Sequence, residues 1–277
     1  MKITDIGEFG LIQRIARFLP PTASDVVVGI GDDVAVLSTL GPDYLLATCD
    51  IQVEGVHFLK GAITAPQLGK RIAAINVSDI AAMGGTPLWA LVSLALPAET
   101  DVAFVDGLYE GMQEQLQASG AAIVGGNLSK IGSGMVIDLC LLGRVKPDHL
   151  VLRSGAKEND LILVTGTLGD SRAGLELIRK PGSAVPESSR KKVLQRHLTP
   201  QPRLAEGQIL GACGQVHAMV DVSDGLMSDI RHICRASGLG AEIWVDGLPV
   251  SPSCADVARI CVPSSQRACT PANGAPW

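Results

Sequence analysis

The sequence predicts a mixed α/β chain, of the α+β kind, with two domains. Apolar residues recur at helical spacing in several segments, and short β-branched runs lie between those segments. The 277 residues fit either one large domain or two of ordinary size. The pattern changes at Val145-Lys146-Pro147, which predicts domains over residues 1–146 and 147–250.

In the predicted N-terminal domain, helices and strands alternate. One predicted helix ends at Pro20-Pro21, a second begins at Pro66 and ends at Gly84-Gly85, and Gly120 closes a third. The predicted helices are therefore 7–19, 66–83 and 102–119. The predicted strands are 26–30, 44–48, 88–96, 121–124 and 135–142.

The predicted C-terminal α/β domain repeats this alternation. Its predicted strands are 161–164, 218–222 and 241–245, and its predicted helices are 170–179, one from Arg203, and 225–236. The Pro/Ser/Gly-rich stretch 180–189 indicates a surface loop. Residues 251–277 contain prolines and cysteines without a sustained period, so we expect an atypical, poorly ordered tail there.

Composition excludes several classes of protein. Hydrophobic residues make up 47% of the chain, enough for a core, and the net charge is -5 with scattered basic residues, which argues against a nucleic-acid partner. The N-terminus lacks an apolar signal core, and the apolar stretch 87–97 is too short to span a bilayer. We therefore expect a cytoplasmic protein without a membrane partner. None of the seven cysteines forms a Cys-x-x-Cys pair, so reduced thiols are expected.

Acidic residues at strand ends and helix starts carry the chemistry. They occur in Gly31-Asp32-Asp33, Thr48-Cys49-Asp50, Ser78-Asp79 and Asp221-Val222-Ser223-Asp224. A single Asp after a strand is usually a turn or capping residue, but Asp79 lies in an otherwise apolar helix and needs a partner. Carboxylates that meet repel each other, and Mg²⁺ relieves that repulsion by bridging them to phosphates.

Two glycine loops indicate phosphate binding. Gly125-Gly126-Asn127 follows one predicted strand, and the loop 165–169 follows another. Glycine lets backbone N–H groups approach phosphate oxygens, and a helix N-terminus adds a favourable dipole. Neither a P-loop nor a Gly-x-Gly-x-x-Gly fingerprint occurs in the sequence.

Together and in this order, these motifs resemble the thiamine-monophosphate kinases, members of the superfamily that includes aminoimidazole ribonucleotide synthetase. The resemblance covers about residues 5–250. Further matching segments are Gly7-Glu8-Phe9, Gly55-Val56-His57-Phe58, the helix segment 76–84, Arg153-Ser154-Gly155-Ala156, the segment 164–171, Arg196-His197-Leu198 and Ser223-Asp224-Gly225.

The resemblance implies ATP-dependent, Mg²⁺-assisted phosphorylation of thiamine monophosphate to thiamine diphosphate. It also implies a homodimer that pairs strands of the N-terminal domains, with ATP in a cleft between the domains. His57 matches a substrate-contacting position. The matching nucleotide positions are Gly126, Asn127, Arg153 and Ser223, and the matching metal positions are Asp33, Thr48, Cys49, Asp50, Asp79, Asp221 and Asp224.

Two departures from the family pattern leave alternatives open. Asn127 stands where the family commonly has Asp, and the family's Gly-Gly-Glu-Asp-Tyr-Glu segment and closing aromatic residue are absent from the sequence. We therefore expect a chain that lacks part of the thiamine pocket and some C-terminal strands. The alternatives are an inactive, nucleotide-binding-only remnant and a superfamily enzyme that acts on another small substrate.

Overall fold

The computed structural model of the chain describes residues 3–17 and 24–261. Its element order confirms the predicted mixed α/β class. The strands are β1 (Val26–Val28), β2 (Ala35–Leu37), β3 (Tyr44–Val53), β4 (Thr86–Leu96), β5 (Ala122–Lys130) and β6 (Val136–Val145). The helices are α1 (Gly7–Ala16), α2 (Ala65–Ala82), α3 (Val102–Ala118), α4 (Asp170–Arg179), α5 (Glu187–Leu198), α6 (Leu204–Ala212), α7 (Leu226–Ser237) and α8 (Pro252–Cys261).

The six strands form one sheet in the order β1-β2-β3-β6-β4-β5, with only the β4–β5 pair parallel. Side chains alternate between its faces. One face packs against α2 and α3 and buries Leu46 and Leu139, whereas the opposite face leaves Ile51, Trp89 and Leu91 exposed. The sheet therefore has one core face and one open apolar face.

Helix α2 is the central element of the core. Thr64 and Gln67 form a capping box at its N-terminus, and Pro66 occupies its first turn, where no backbone N–H is needed. Its apolar side buries Leu68, Ile72 and Ile80 completely. The predicted helix 66–83 is therefore confirmed, with bounds one residue earlier at each end, Ala65–Ala82.

The second half of the chain packs directly on α2 through α6. A Cβ atom on Gly207 of α6 would lie 2.2 Å from the carbonyl oxygen of Ala81, and one on Gly211 would lie 3.1 Å from the Cα of Gly84. Only glycine permits backbones this close. The contact fixes the second half against the C-terminal end of α2, where Asp79 lies.

A smaller core joins α4, α5 and α8 around Leu177, Val193 and Val257. The expectation of a disordered segment after residue 250 is wrong for Pro252–Cys261, which form α8. Buried Asp170 accepts hydrogen bonds from Thr167 and Ser251, and this bond from Ser251 ties the start of α8 to the start of α4. Residues 262–277 lie outside the described residues.

The three strands predicted for the second half are another error. Residues 161–164, 218–222 and 241–245 have no regular strand structure. Leu161 and Trp244 are 86% and 76% exposed. A strand exists only through hydrogen bonds to a neighbouring strand, so β-propensity alone did not decide these segments. Helix α5 was also missed: its first residues fall within the Pro/Ser/Gly-rich stretch 180–189 that was expected to be a loop, and no element was predicted over its remaining residues.

None of the helices in the described part of the chain combines the length and apolarity needed to cross a bilayer.

The Gly207 contact gives a stability test. We expect Gly207→Ala to lower the free energy of unfolding by about 1–3 kcal/mol, because the added methyl group collides with the backbone of Ala81. Chemical denaturation measures the change. Gly132→Ala is the control, since a Cβ atom there meets nothing within 4 Å. Helix propensity alone would favour alanine in α6, so a more stable Gly207→Ala variant would contradict the close contact.

Candidate functional site

Three carboxylates from distant parts of the chain meet beside β3. One oxygen each of Asp33, Asp79 and Asp221 lies within 4.8 Å of the others. Asp33 lies in the loop before β2, Asp79 on α2, and Asp221 in the loop before α7. The sequence predicted these residue types but had no means of showing that they converge.

Asp79 is held by the neighbouring strand. The Thr48 hydroxyl on β3 donates a hydrogen bond to Oδ2 of Asp79 at 2.6 Å. Thr48 faces α2 because side chains alternate along β3, and Asp50 lies on the same face two residues further on. Asp79, the acid in an otherwise apolar helix, therefore has a polar partner in Thr48.

Asp221 is held by residues that sequence reasoning missed. The Ser78 hydroxyl on α2 donates to Oδ2 of Asp221 at 2.9 Å. In the same loop, buried Asp229 of α7 accepts from the backbone N–H of Gly225 at 3.0 Å, which fixes the turn that carries Asp221 and Asp224. Ser78 stands beside Asp79 in sequence, and Asp229 lies in the first turn of α7, a favourable place for an acid.

Asp33 pairs with Arg153, a residue that the sequence analysis assigned to the nucleotide. The guanidinium of Arg153 donates two hydrogen bonds to Oδ1 of Asp33. Asp32, which belongs to the acidic motif but was given no role of its own, accepts the backbone N–H of Arg153 at 3.1 Å and so fixes its position. Oδ2 of Asp33 is buried and has no hydrogen-bond partner among the described residues.

Burial and mutual repulsion raise the pKa of these acids. Burial raises the pKa of Asp79 to about 9, with the charges of Asp50 and Asp221 adding to it. Burial likewise raises the pKa of Asp33 to about 7, although Arg153 opposes this, and the pKa of Asp50 to about 6. The pKa of Asp221 is raised by burial as well. Without a cation, the cluster therefore holds protons near neutral pH.

The donor set suits a hard divalent cation. It consists of carboxylate oxygens with a neighbouring hydroxyl, which Mg²⁺ prefers, and contains no imidazole or thiolate in the cluster. The buried, unpartnered Oδ2 of Asp33 is the kind of atom that an ion would satisfy. The residues present therefore fit magnesium.

Some of the predicted site residues lie away from the acids. The Cys49 thiol is on the opposite face of β3, where it donates to Asp138 at 3.1 Å, so only the backbone of Cys49 can face the cluster. Gly126 lies on β5 in the same cross-sheet row as Asp50 but three strands away, about 14 Å. Asn127 is its exposed neighbour.

The remaining predicted residues border the cluster. Asp224 is close enough for its charge to raise the pKa of Asp221, and Ser223 is exposed in the same loop. His57 lies in the turn after β3, where its Nδ1 accepts the backbone N–H of Val53 at 3.0 Å. That bond leaves the Nε2–H of the neutral ring free to donate.

Two protein-family models match the chain and define its class. The family model of the AIR synthase related protein N-terminal domain matches residues 31–145, and that of the C-terminal domain matches residues 157–262. The chain therefore contains both domains of the AIR synthase related proteins, and the acidic cluster draws its residues from both of them.

Individual relatives identify the particular family within this class of protein. The chain is 38% identical to a thiamine-monophosphate kinase of Aquifex aeolicus over 91% of its own length and 78% of that protein. It is 38% identical to a thiamine-monophosphate kinase of Salmonella typhimurium over 88% of its length and 74% of that protein. A solved structure of AaThiL complexed with AMPPCP and TMP matches all of this chain and 83% of that one, with 34% identity and a TM-score of 0.85. The chain belongs to the thiamine-monophosphate kinase family.

The raised pKa of Asp79 predicts a pH dependence of stability. In metal-free protein the folded state keeps a proton on Asp79 up to a pKa of about 9, whereas an ordinary carboxyl group in the unfolded chain has lost it above 3.8. The stability present at low pH is therefore lost as pH rises, by about 1–2 kcal/mol between pH 7 and 8.5. Chemical denaturation in a chelating buffer measures this loss.

Asp79→Asn should flatten that pH dependence, because the amide does not titrate. The control Asp106→Asn removes an exposed acid of α3 and should keep the wild-type slope. Equal slopes in Asp79→Asn and the wild type would show that Asp79 is already ionised at pH 7.

Proposed function

We propose that this chain transfers the γ-phosphoryl group of ATP to thiamine monophosphate, giving thiamine diphosphate and ADP. It is thus a Mg²⁺-dependent transferase of thiamine biosynthesis. The family membership and the match to a complex with AMPPCP and TMP support the reaction. The convergence of Asp33, Asp79 and Asp221 from both halves of the chain is the structural observation that carries it. The cytoplasmic location stays a prediction.

The proposed roles follow the charges of the site. Magnesium, in more than one ion, would be held by the carboxylates of Asp33, Asp50, Asp79, Asp221 and Asp224, with Thr48 and the backbone of Cys49 beside them. Bound there, it would neutralise the charge of the phosphate groups. We assign Arg153, Ser223, Gly126 and Asn127 to the nucleotide and His57 to the acceptor.

The chemistry requires positioning more than a base. An oxygen of the acceptor phosphate attacks the γ-phosphorus, and the bond from that phosphorus to the β–γ bridging oxygen breaks. The attacking oxygen is already ionised, so no side chain has to remove a proton. Arg153 is suited to bind a phosphate oxygen, because Asp33 holds its guanidinium beside the acids and Asp32 fixes its backbone.

A second candidate function is metal and nucleotide binding without transfer. The observation that favours it is the irregular backbone over residues 161–164 and 241–245, with Leu161, Leu163 and Trp244 largely exposed. An acceptor pocket needs apolar walls that are packed in place, and exposed apolar side chains on irregular backbone do not supply such walls. Asn127, at a position where the family commonly has Asp, points the same way.

The assay for both candidates is the formation of thiamine diphosphate from ATP, magnesium and thiamine monophosphate. We expect wild-type turnover and a loss of at least about 100-fold in Asp79→Asn, since the amide removes a charge from the cluster. Asp106→Asn should turn over normally. Magnesium-dependent ATP binding without product would support the second candidate, and the absence of such binding would contradict both.

We also propose that the chain forms a homodimer through the open face of the sheet. Ile51, Trp89 and Leu91 are exposed there, together with Val124 of the edge strand β5. A contiguous exposed apolar face on a β-sheet is typical of a protein interface. A second copy would also bring another β5, with its Gly126-Asn127 pair, to this face.

Leu91→Glu should convert the dimer to a monomer, because it places a charge in the centre of the buried face. Sedimentation velocity over a range of concentrations measures the mass. Leu40→Glu is the control at an exposed leucine outside the sheet. A wild-type chain that sediments as a monomer at micromolar concentration would contradict the dimer.

A further inference from the structure

One cation near the site has no counter-ion in the described part of the chain. Arg71 lies on α2, partly buried, and burial lowers the pKa of its guanidinium. Among the described residues, no carboxylate or other acceptor forms an ion pair or hydrogen bond with it. A guanidinium has five N–H donors and is costly to bury unpaired.

Two histidines lie near enough to this guanidinium to be affected by its charge. Burial lowers the pKa of both His57 and His197, and the charge of Arg71 lowers it further, which favours the neutral form of both rings at pH 7. The Nε2–H of His57 is available as a donor, since its Nδ1 already accepts from the backbone. Glu8 of α1 is the acid whose charge also acts on His57, and it opposes Arg71 there.

His197 is fixed in position by α4. Its Nδ1 lies 3.1 Å from the Ser171 hydroxyl, and its side chain packs so closely on Gly174 that a Cβ there would lie 2.7 Å from the Cβ of His197. The charge of Arg179 also reaches this ring. His57 in the turn after β3 and His197 of α5 are thus within reach of the charge of Arg71, and Ser171 of α4 is tied to them through His197.

The position of Arg71 relates this cluster to the acids. Arg71 precedes Ser78 on α2 by seven residues, which places the two on the same helix face and about 10 Å apart along the axis. Ser78 binds Asp221, one of the three converging acids. A phosphoryl donor bound at the acids and an anion bound at Arg71 would together fill the space between Arg71 and Ser78.

We propose that Arg71, with His57, His197 and Ser171, forms the binding site for the phosphate monoester of the acceptor. The inference rests on the proposed kinase function and assigns a specificity-determining residue to it. A phosphate group supplies the negative charge and the several acceptor oxygens that this cluster lacks. A neutral alcohol of the same substrate supplies neither, so the site selects the phosphorylated form.

A ligand-binding role also predicts an unusual effect on stability. If the role of Arg71 is to bind an anionic ligand, Arg71 destabilises the ligand-free fold, because its charge is then buried without a partner. Arg71→Met removes the charge and keeps most of the apolar stem. The thermal midpoint of ligand-free Arg71→Met should therefore equal or exceed that of the wild type, whereas a structural role would lower it.

The decisive experiment compares steady-state kinetics of the wild type, Arg71→Met and Arg71→Lys. We expect Arg71→Met to raise KM for thiamine monophosphate by about tenfold to hundredfold and to leave KM for ATP unchanged. The inhibition constant of unphosphorylated thiamine should stay the same, since thiamine lacks the group that Arg71 binds. Arg71→Lys should recover part of the loss.

Lys70→Met is the matched control, because Lys70 is adjacent on α2 but pairs with Glu114 of α3. An unchanged KM for thiamine monophosphate in Arg71→Met, an equal rise in KM for ATP, or a lowered thermal midpoint would overturn the inference alone. Absence of turnover by the wild type would instead overturn the proposed function, and this inference with it.

Discussion

The site depends on an electrostatic conflict among three carboxylates. Asp33, Asp79 and Asp221 lie within 4.8 Å of one another in a largely buried place. Hydrogen bonds from Thr48 and Ser78 and the ion pair with Arg153 offset only part of the repulsion and the desolvation, which is why burial and neighbouring charges raise the pKa of these acids. A fold that needed only stability would not gather these groups. The arrangement is explained by a cation that the acids share.

Helix α2 connects the acidic cluster to the rest of the molecule. Its apolar side is the centre of the core, and its C-terminal end receives α6 through the close contact of Gly207 with Ala81. Its polar side carries Arg71 and Ser78 on one face, with Asp79 beside them. Because one rigid helix positions all three, the spacing between the proposed anion site and the acids is set by helix geometry. The same packing brings the loop of Asp221 to Asp79.

The sequence carried more information about the first half of the chain than about the second. Helical spacing and Pro66 predicted α2, and the acid at position 79 was identified because an apolar helix rarely carries one. The positions of Ser78, Asp32 and Asp229 beside the acids depend on tertiary packing, which no local pattern encodes. The strands predicted over 161–164 and 241–245 failed because strand formation requires a partner. Helix α8 was missed because its contacts to Asp170 lie 81 residues away in sequence.

The central claim is that acids from both halves of the chain hold a divalent cation between them. The most direct measurement is the anomalous difference map of a crystal grown with ATP and Mn²⁺, which substitutes for Mg²⁺ and scatters anomalously. The account predicts a peak within bonding distance of carboxylate oxygens of Asp33, Asp79 and Asp221, with the guanidinium of Arg153 moved towards a phosphate. Manganese bound only elsewhere, with Arg153 still paired to Asp33, would contradict it.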